Sequence, residues 1–281
     1  MPLSLLALFF GACAAGIALA AAVRPALQGR VLVWAGCVAA LAAVAAGAGG
    51  LLSGRVVTQT LWTLPGLATL TLRVDPLGAA LVLVTGLVLF PASIYAAGEL
   101  DGGSLRGHER AFTLMLLGLY ASIVLILIAG DALSFLLAWE VMSVLSYLLV
   151  TSGPTAGNGH HIPSGYLLLA MGEAGTLSAA LGFLVLAHGA GSLEFDALRS
   201  AAPTLGAGAR WAVFLLTFFG FGVKAGLVPV NSWLQRAYTA APRAFAPVLA
   251  GATLNLGLYG ILRVNADLMP AVQLGPGLVA L

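Results

Sequence analysis

Charge is what this sequence has least of. Twelve basic and ten acidic side chains make 8% of 281 residues. Soluble domains carry roughly 25%, so this chain cannot coat itself for water. The net charge of +2 is spread without a basic run, which leaves nucleic acid without support as a partner. Cysteine is nearly missing too. Cys13 and Cys37 lie in separate apolar segments, too few and too isolated for an iron–sulfur or zinc site, and read as small core or lipid-facing residues. There is no HExxH pair, CxxC, Walker loop or dinucleotide fingerprint. His160 and His161 fall in a loop, His188 ends a helix where a cation is favoured, and His108 sits in a connector beside Glu109 and Arg110. No redox or hydrolytic site is recognisable in this chain alone.

Apolar residues make up 60% of the chain. Windows of about 20 apolar residues span a bilayer, and on that rule the sequence is an integral membrane protein. "MPLSLLALFFGACAAGIALAAAV" lacks the positively charged start of a signal peptide, and its apolar run exceeds the roughly 7–15 residues of a signal core. It reads as a first transmembrane helix. Helices are expected at 2–22, 31–53, 76–97, 111–129, 132–151, 165–188, 210–228 and 244–263, with a further short run from Met269 to Leu281. The expected fold class is therefore an all-α polytopic membrane protein of about eight to nine transmembrane helices.

"RVVTQTLWTLPGLATLTLRVD" alternates Thr, Val and Leu about the turn pair Pro65 and Gly66, and reads as an extra-membrane β-hairpin. "TSGPTAGNGHHIPSG" at 151–165 reads as a loop, and "GSLEFDALRSA" as a short amphipathic surface piece. Three units are expected: helices 1–3 with the hairpin at 1–110, helices 4–8 at 111–265, and the start of a further, truncated helix at 266–281. Arg24, Arg30, Arg106, Arg110, Arg236 and Arg243 fall on one side of the membrane, and Arg55, Arg73, Arg199, Arg210 and Arg263 on the other. That distribution leans toward a non-cytoplasmic N-terminus.

Three charges fall inside predicted spans: Glu140, Glu173 and Lys224. Each costs about 2.5–3.5 kcal/mol at a helix centre, and such residues mark ion pathways by default. Glu140 lies nine residues beyond Asp131, roughly 13 Å deeper at 1.5 Å per residue. Ser143, Ser146 and Tyr147 follow it at one-turn spacing. A neutral structural acid is the bland reading, but Gln would fill that role at lower cost. Asp131 itself suits the N-cap of the helix that follows.

Lys224 sits in "FFGFGVKAGLVPVNSWL", among Gly220, Gly222, Gly226 and Pro229. These residues permit a helix break, whose freed backbone groups must line a cavity or find internal partners. Broken helices at mid-membrane are where transporters place ion sites. Snorkelling of Lys224 to the interface is the alternative. Glu173, among Gly172, Gly175 and Thr176, has two open readings, a proton relay and an interhelical hydrogen bond.

"LLAWEVMSVLSYLLV" and "GFGVKAGLVPVNSWLQRAYTAAP…GATLNLGLYGILR" resemble the proton-conducting membrane subunits shared by respiratory complex I, membrane-bound nickel–iron hydrogenases and Mrp-type antiporters. "LRVDPLGA" and "SIYAAGE" fit the third helix of that family. The Trp139-Glu140-x-Met-Ser143 form is similar to hydrogenase-4 component B and formate hydrogenlyase membrane subunits. The resemblance covers nearly the whole chain. It implies that Glu140 is the fifth-helix glutamate and Lys224 the seventh-helix lysine that modulates its protonation.

It also implies a membrane subunit of a redox-driven proton pump in a bacterial or archaeal inner membrane, with other membrane and peripheral subunits as partners. Iron–sulfur, nickel–iron or flavin groups would belong to those partners. The pattern departs at Asn231 and Tyr238, where the family usually has histidines, and at Asn255, where it has a lysine. Asn cannot gain or lose a proton, so onward relay past Asn255 needs water or another route. A degenerate structural subunit and an Mrp-type antiporter subunit are the rival readings, and an enzyme acting alone is the weakest.

Overall fold

Long runs of Ala, Leu, Val and Gly leave a lipid-embedded backbone one local way to satisfy its own polar groups, the α-helix. The computed structural model describes residues 2–64, 68–103, 105–152 and 161–269. The chain runs α1 (Pro2–Ala22), α2 (Gln28–Ser53), β1 (Val57–Leu64), β2 (Ala68–Val74), α3 (Pro76–Asp101), α4 (Glu109–Ile128) and α5 (Ala132–Thr151). It continues through α6 (His161–Ala190), α7 (Phe195–Ala201), α8 (Ala207–Ala225), α9 (Ser232–Ala240) and α10 (Ala246–Leu268). Within α10 the stretches Leu249–Thr253 and Arg263–Leu268 are wound as π-helix.

Among the described residues, seven helices are long and apolar enough to cross a membrane: α1 to α6 and α10. The expectation of eight to nine is corrected to seven. The predicted span at 210–228 is α8, which stops at Ala225 and carries Arg210 and Lys224 near its two ends, so it is the least apolar of the long helices. The run from 270 onward lies outside the described residues, as do Pro65, Gly66 and 153–160 of the expected loop. His161 already belongs to α6. The antiparallel hairpin β1–β2 stands where alternation placed it, in register from Val57 opposite Val74.

Small residues set the packing. Ala39, Ala40, Ala43 and Ala46 of α2 are buried, and α2 packs most extensively on α3, where Gly47 lies against Ala79 and Leu83 and Gly86 against Ala40 and Val44. α1 covers α2 and α4, and α4 is the most enclosed of the seven. α5, α6, α8 and α10 pack in sequence around the residues singled out above.

One end of the bundle is polar. Asp131 caps α5 as expected, accepting from the Ser134 amide at 2.7 Å, and it also accepts from the Thr71 amide of β2 at 2.8 Å. The Phe195 amide donates to the Gly130 carbonyl, so the hairpin, the α4–α5 turn and α7 are knitted together. α7 is the amphipathic piece, but it is seated rather than superficial, with Phe195 and Leu198 fully buried.

Six charged side chains at this end close a ring. Arg73 donates to Asp75 (3.1 Å), and Asp75 also accepts from both terminal nitrogens of Arg263 (2.5 and 2.9 Å). Arg263 donates to Asp267 (2.7 Å), and Arg199 donates to Asp267 (2.7 Å) and Asp196 (2.5 Å). Arg73 completes the circuit on Asp196 (2.5 Å). Three cations meet three anions, so the ring is neutral, and it ties β2, the start of α3, α7 and the end of α10. Arg263, which the sequence placed among connector arginines, is inside α10 and 1% exposed. Its guanidinium also donates to the Tyr259 hydroxyl, which donates to the Leu127 carbonyl of α4.

Burial pushes the Asp75 carboxyl up, but the hydrogen bonds and charge of Arg263, with the Gly78 amide and Arg73, outweigh it and hold it at about 2. A folded-state value below the unfolded one stabilises the protein above the ordinary carboxylate range. That stabilisation is lost as pH falls from about 4 toward 2. Arg263→Met opens the ring and leaves Asp75 with Arg73 alone and Asp267 with Arg199 alone, and breaking a buried pair costs up to about 3–5 kcal/mol. Thermal unfolding in detergent is expected to show that loss, and Asp75→Asn added to Arg263→Met is expected to recover part of it. The acid limb of the unfolding curve should flatten in both variants.

Candidate functional site

α8 crosses the interior and then stops. Gly226 takes the left-handed conformation (φ 71°) that ends a helix, and the Leu227 amide folds back onto the Gly222 carbonyl at 3.0 Å. The Val223 carbonyl accepts from the Gly226 amide at 3.1 Å and from Trp233 Nε1 of α9 at 2.8 Å. Carbonyls released by the break are thus satisfied inside the protein, as a membrane interior requires. Pro229 follows a cis peptide bond in the non-helical segment before α9. Gly222 lies in the last turn of α8. Gly220 lies deeper in the helix and serves a different end: a Cβ there would meet the Gly175 carbonyl at 2.5 Å and the Ala179 amide at 2.7 Å, so α6 and α8 touch backbone to backbone.

Lys224 sits in the last turn of α8, 4% exposed, where the carbonyl end of the helix favours a cation. This placement rules against snorkelling. Glu140 on α5 and Glu173 on α6 are half-buried. Lys224 lies within electrostatic reach of both. Among the described residues it makes no direct ion pair. The ammonium therefore acts on both carboxyl groups through space.

Polar groups gather around the three. Ser143, one turn beyond Glu140, is buried with its hydroxyl unpartnered among the described residues. The Ser146 hydroxyl donates to the Met142 carbonyl at 2.7 Å. Space is open beside Gly172, one residue from Glu173. Asn255 is half-buried on α10 and turns its amide onto the Gly251 carbonyl at 2.8 Å, within its own helix. Asn231 stands just before α9 without capping it, and Tyr238 is half-buried on α9.

Sequence reasoning missed the ionic ring and a stacked group of aromatic rings between that ring and Lys224. The local charge pairs Arg73/Asp75, Asp196/Arg199 and Arg263/Asp267, spaced two to four residues apart, were the available signal.

The chain is thus a polytopic membrane protein in which one helix stops inside the bundle beside a buried lysine. Comparison with known proteins defines the lineage. Residues 129–275 match the NADH:quinone oxidoreductase/Mrp antiporter transmembrane family, and the chain belongs to it. It is 36% identical over 202 residues to hydrogenase-4 component B of Escherichia coli K12, covering 72% of this chain and 29% of that protein. It is 30% identical over 197 residues to an NAD(P)H-quinone oxidoreductase chain 4 of Microcystis aeruginosa, covering 70% and 34%. In fold it is similar to a chain of the Mrp complex from Dietzia sp. DQ12-45-1b, with a TM-score of 0.78 at 23% identity over 95% of this chain and 49% of that one. The chain thus spans about a third of the length of these curated relatives.

The α6–α8 contact generates a direct test. Gly220→Leu forces the two backbones apart, and overpacking of this kind costs about 1–3 kcal/mol. Thermal stability in detergent is expected to fall. Gly208→Ala, where the added carbon meets nothing, is expected to leave it unchanged.

Proposed function

We propose that this chain is a membrane subunit of a redox-driven, proton-translocating assembly, and that Glu140, Glu173 and Lys224 are the group that takes up and releases the proton. The observation that carries this reading is their convergence from α5, α6 and α8 at the end of a helix that stops inside the fold. In this reading the two carboxyl groups carry one proton and one negative charge, which the nearby Lys224 ammonium balances, so the resting trio is neutral in a medium where unbalanced charge is costly.

Withdrawing the ammonium removes the balance, and the carboxyl pair then takes up a second proton. Returning the ammonium expels it. The segment after Ala225 is the place where a partner's redox event can move Lys224 without unwinding a helix already formed. Family membership and likeness to proteins named as hydrogenase and quinone oxidoreductase components support this assembly. Iron–sulfur, nickel–iron or flavin groups belong to the partners in this reading, and residues 111–265 carry the conducting repeat. Asn255 contributes a polar surface but no proton of its own.

Orientation follows from the arginines. Arg263 and Arg73 are buried in the ionic ring, which leaves Arg55, Arg199 and Arg210 near the hairpin end. Arg24, Arg30, Arg106, Arg110, Arg236 and Arg243 stand at the other, so we assign that other face to the cytoplasm.

In the assembled complex in inverted membrane vesicles, Glu140→Gln is expected to abolish redox-linked proton translocation while electron transfer persists. Lys224→Met is expected to slow translocation and shift its pH profile. Full pumping by Glu140→Gln would remove the carboxylate from the path and leave the chain as a scaffold.

A further inference from the structure

Three helices repeat one vertical order. On α10, Asn255, Tyr259, Arg263 and Asp267 follow at four-residue intervals, so they share a face. On α5 the order is Asp131, Phe135, then Trp139 and Glu140, with Phe135 about 7.5 Å from Glu140 along the axis. On α8, Phe221 precedes Lys224 by one turn. A polar level, an aromatic level and a charged level are therefore stacked toward the hairpin end.

The aromatic level is continuous. Phe135 is its hub, with ring centroids at 5.5 Å from Trp139, 5.8 Å from Phe183, 5.7 Å from Phe221, 6.2 Å from Tyr259 and 6.3 Å from Phe195. Trp139 closes on Phe221 at 5.2 Å, and Phe183 on Phe195 at 6.1 Å. These six rings come from α5, α6, α7, α8 and α10, and all are buried. The single hydroxyl among them, on Tyr259, is engaged by Leu127 and Arg263. The Arg263 guanidinium lies over Tyr259 at 5.0 Å and over Phe195 at 5.9 Å, so the ionic ring rests on the outer face of the stack.

We infer that this stack is a dry plug that closes the Glu140–Glu173–Lys224 level from the hairpin end, and that the six-residue ionic ring bolts it shut. The inference rests on the proton-transfer reading given above and adds its barrier. A proton crosses only where water or titratable groups form a chain, and an interior water needs about two to four polar partners. The four phenyl rings offer none and the Trp139 indole N–H is a single donor, short of what a water needs, and apolar constrictions stop conduction by dewetting. Protons exchanged by the carboxyl pair therefore do not pass directly beneath the hairpin. Phe135 and Phe221 are barrier residues rather than carriers.

The test uses the full-length chain in its native assembly, in sealed vesicles without electron donor, with the collapse of an imposed pH gradient followed by a fluorescent dye. Phe135→Ala is expected to raise the passive leak several-fold, and Glu140→Gln added to it to return the leak to the wild-type rate. Phe221→Leu, which keeps an apolar body, is expected to give a smaller rise and serves if Phe135→Ala does not assemble. In parallel, Ser143→Cys on a Cys13→Ser, Cys37→Ser background is expected to resist an impermeant thiol reagent from the hairpin face and to react once Phe135→Ala is added.

Tight vesicles together with an unreactive thiol in assembled Phe135→Ala overturn the plug, and redox-linked pumping by Glu140→Gln then decides the proton-transfer reading separately. A leak that survives Glu140→Gln upholds the plug and removes the carboxyl pair from the route.

Discussion

A charge taken out of water must find its counter-charge inside the same fold, and this protein is arranged around that constraint. Only 8% of its residues are charged, yet several are buried: Arg73, Asp75, Asp131, Lys224 and Arg263. The two solutions differ in kind. At the hairpin end each guanidinium has two carboxylates in contact and each carboxylate two guanidiniums, so no group can titrate without breaking a closed circuit. Around Lys224 no ion pair forms among the described residues, and the ammonium acts on the nearby carboxyl groups through space. The first arrangement is fixed. The second is the kind that changes when one member moves.

Backbone chemistry decides where movement is possible. A helix that ends inside the fold must have its last carbonyls satisfied, and the Gly226 turn and the Trp233 indole do this. α8 is thereby held firmly on α6 at Gly175 and Gly220, one turn before the lysine. Residues beyond Ala225 are free of helix and precede an amphipathic α9. Rigid contact on one side of Lys224 and a non-helical segment on the other is a physical basis for moving a single charge.

Much of this was legible in order of how local the signal is. Glu140, Glu173 and Lys224 stood out because a lone charge in an apolar run is costly, although each also had a structural reading. Asp131 was legible as a cap because it stands in the tight turn between two apolar spans, and the hairpin because Thr and hydrophobic residues alternate. The helix count was overestimated because the span expected at 210–228 is α8, which Arg210 and Lys224 leave too polar to stand among the long apolar helices. The ring was hidden by distance in sequence: Asp75 and Arg263 are 188 residues apart. Arg263 therefore looked like a connector charge. Phe135 and Phe221 were visible only as apolar residues, since nothing local says that five elements bring their rings together.

In the function proposed, Glu140, Glu173 and Lys224 act together as one proton-exchanging group. Infrared difference spectroscopy of the purified assembly, taken across a pH step, reads protonated carboxyl groups directly. The account requires one carboxylic-acid band that disappears in Glu140→Gln or Glu173→Gln and shifts in Lys224→Met. A band that keeps its position and amplitude in all three variants would contradict it.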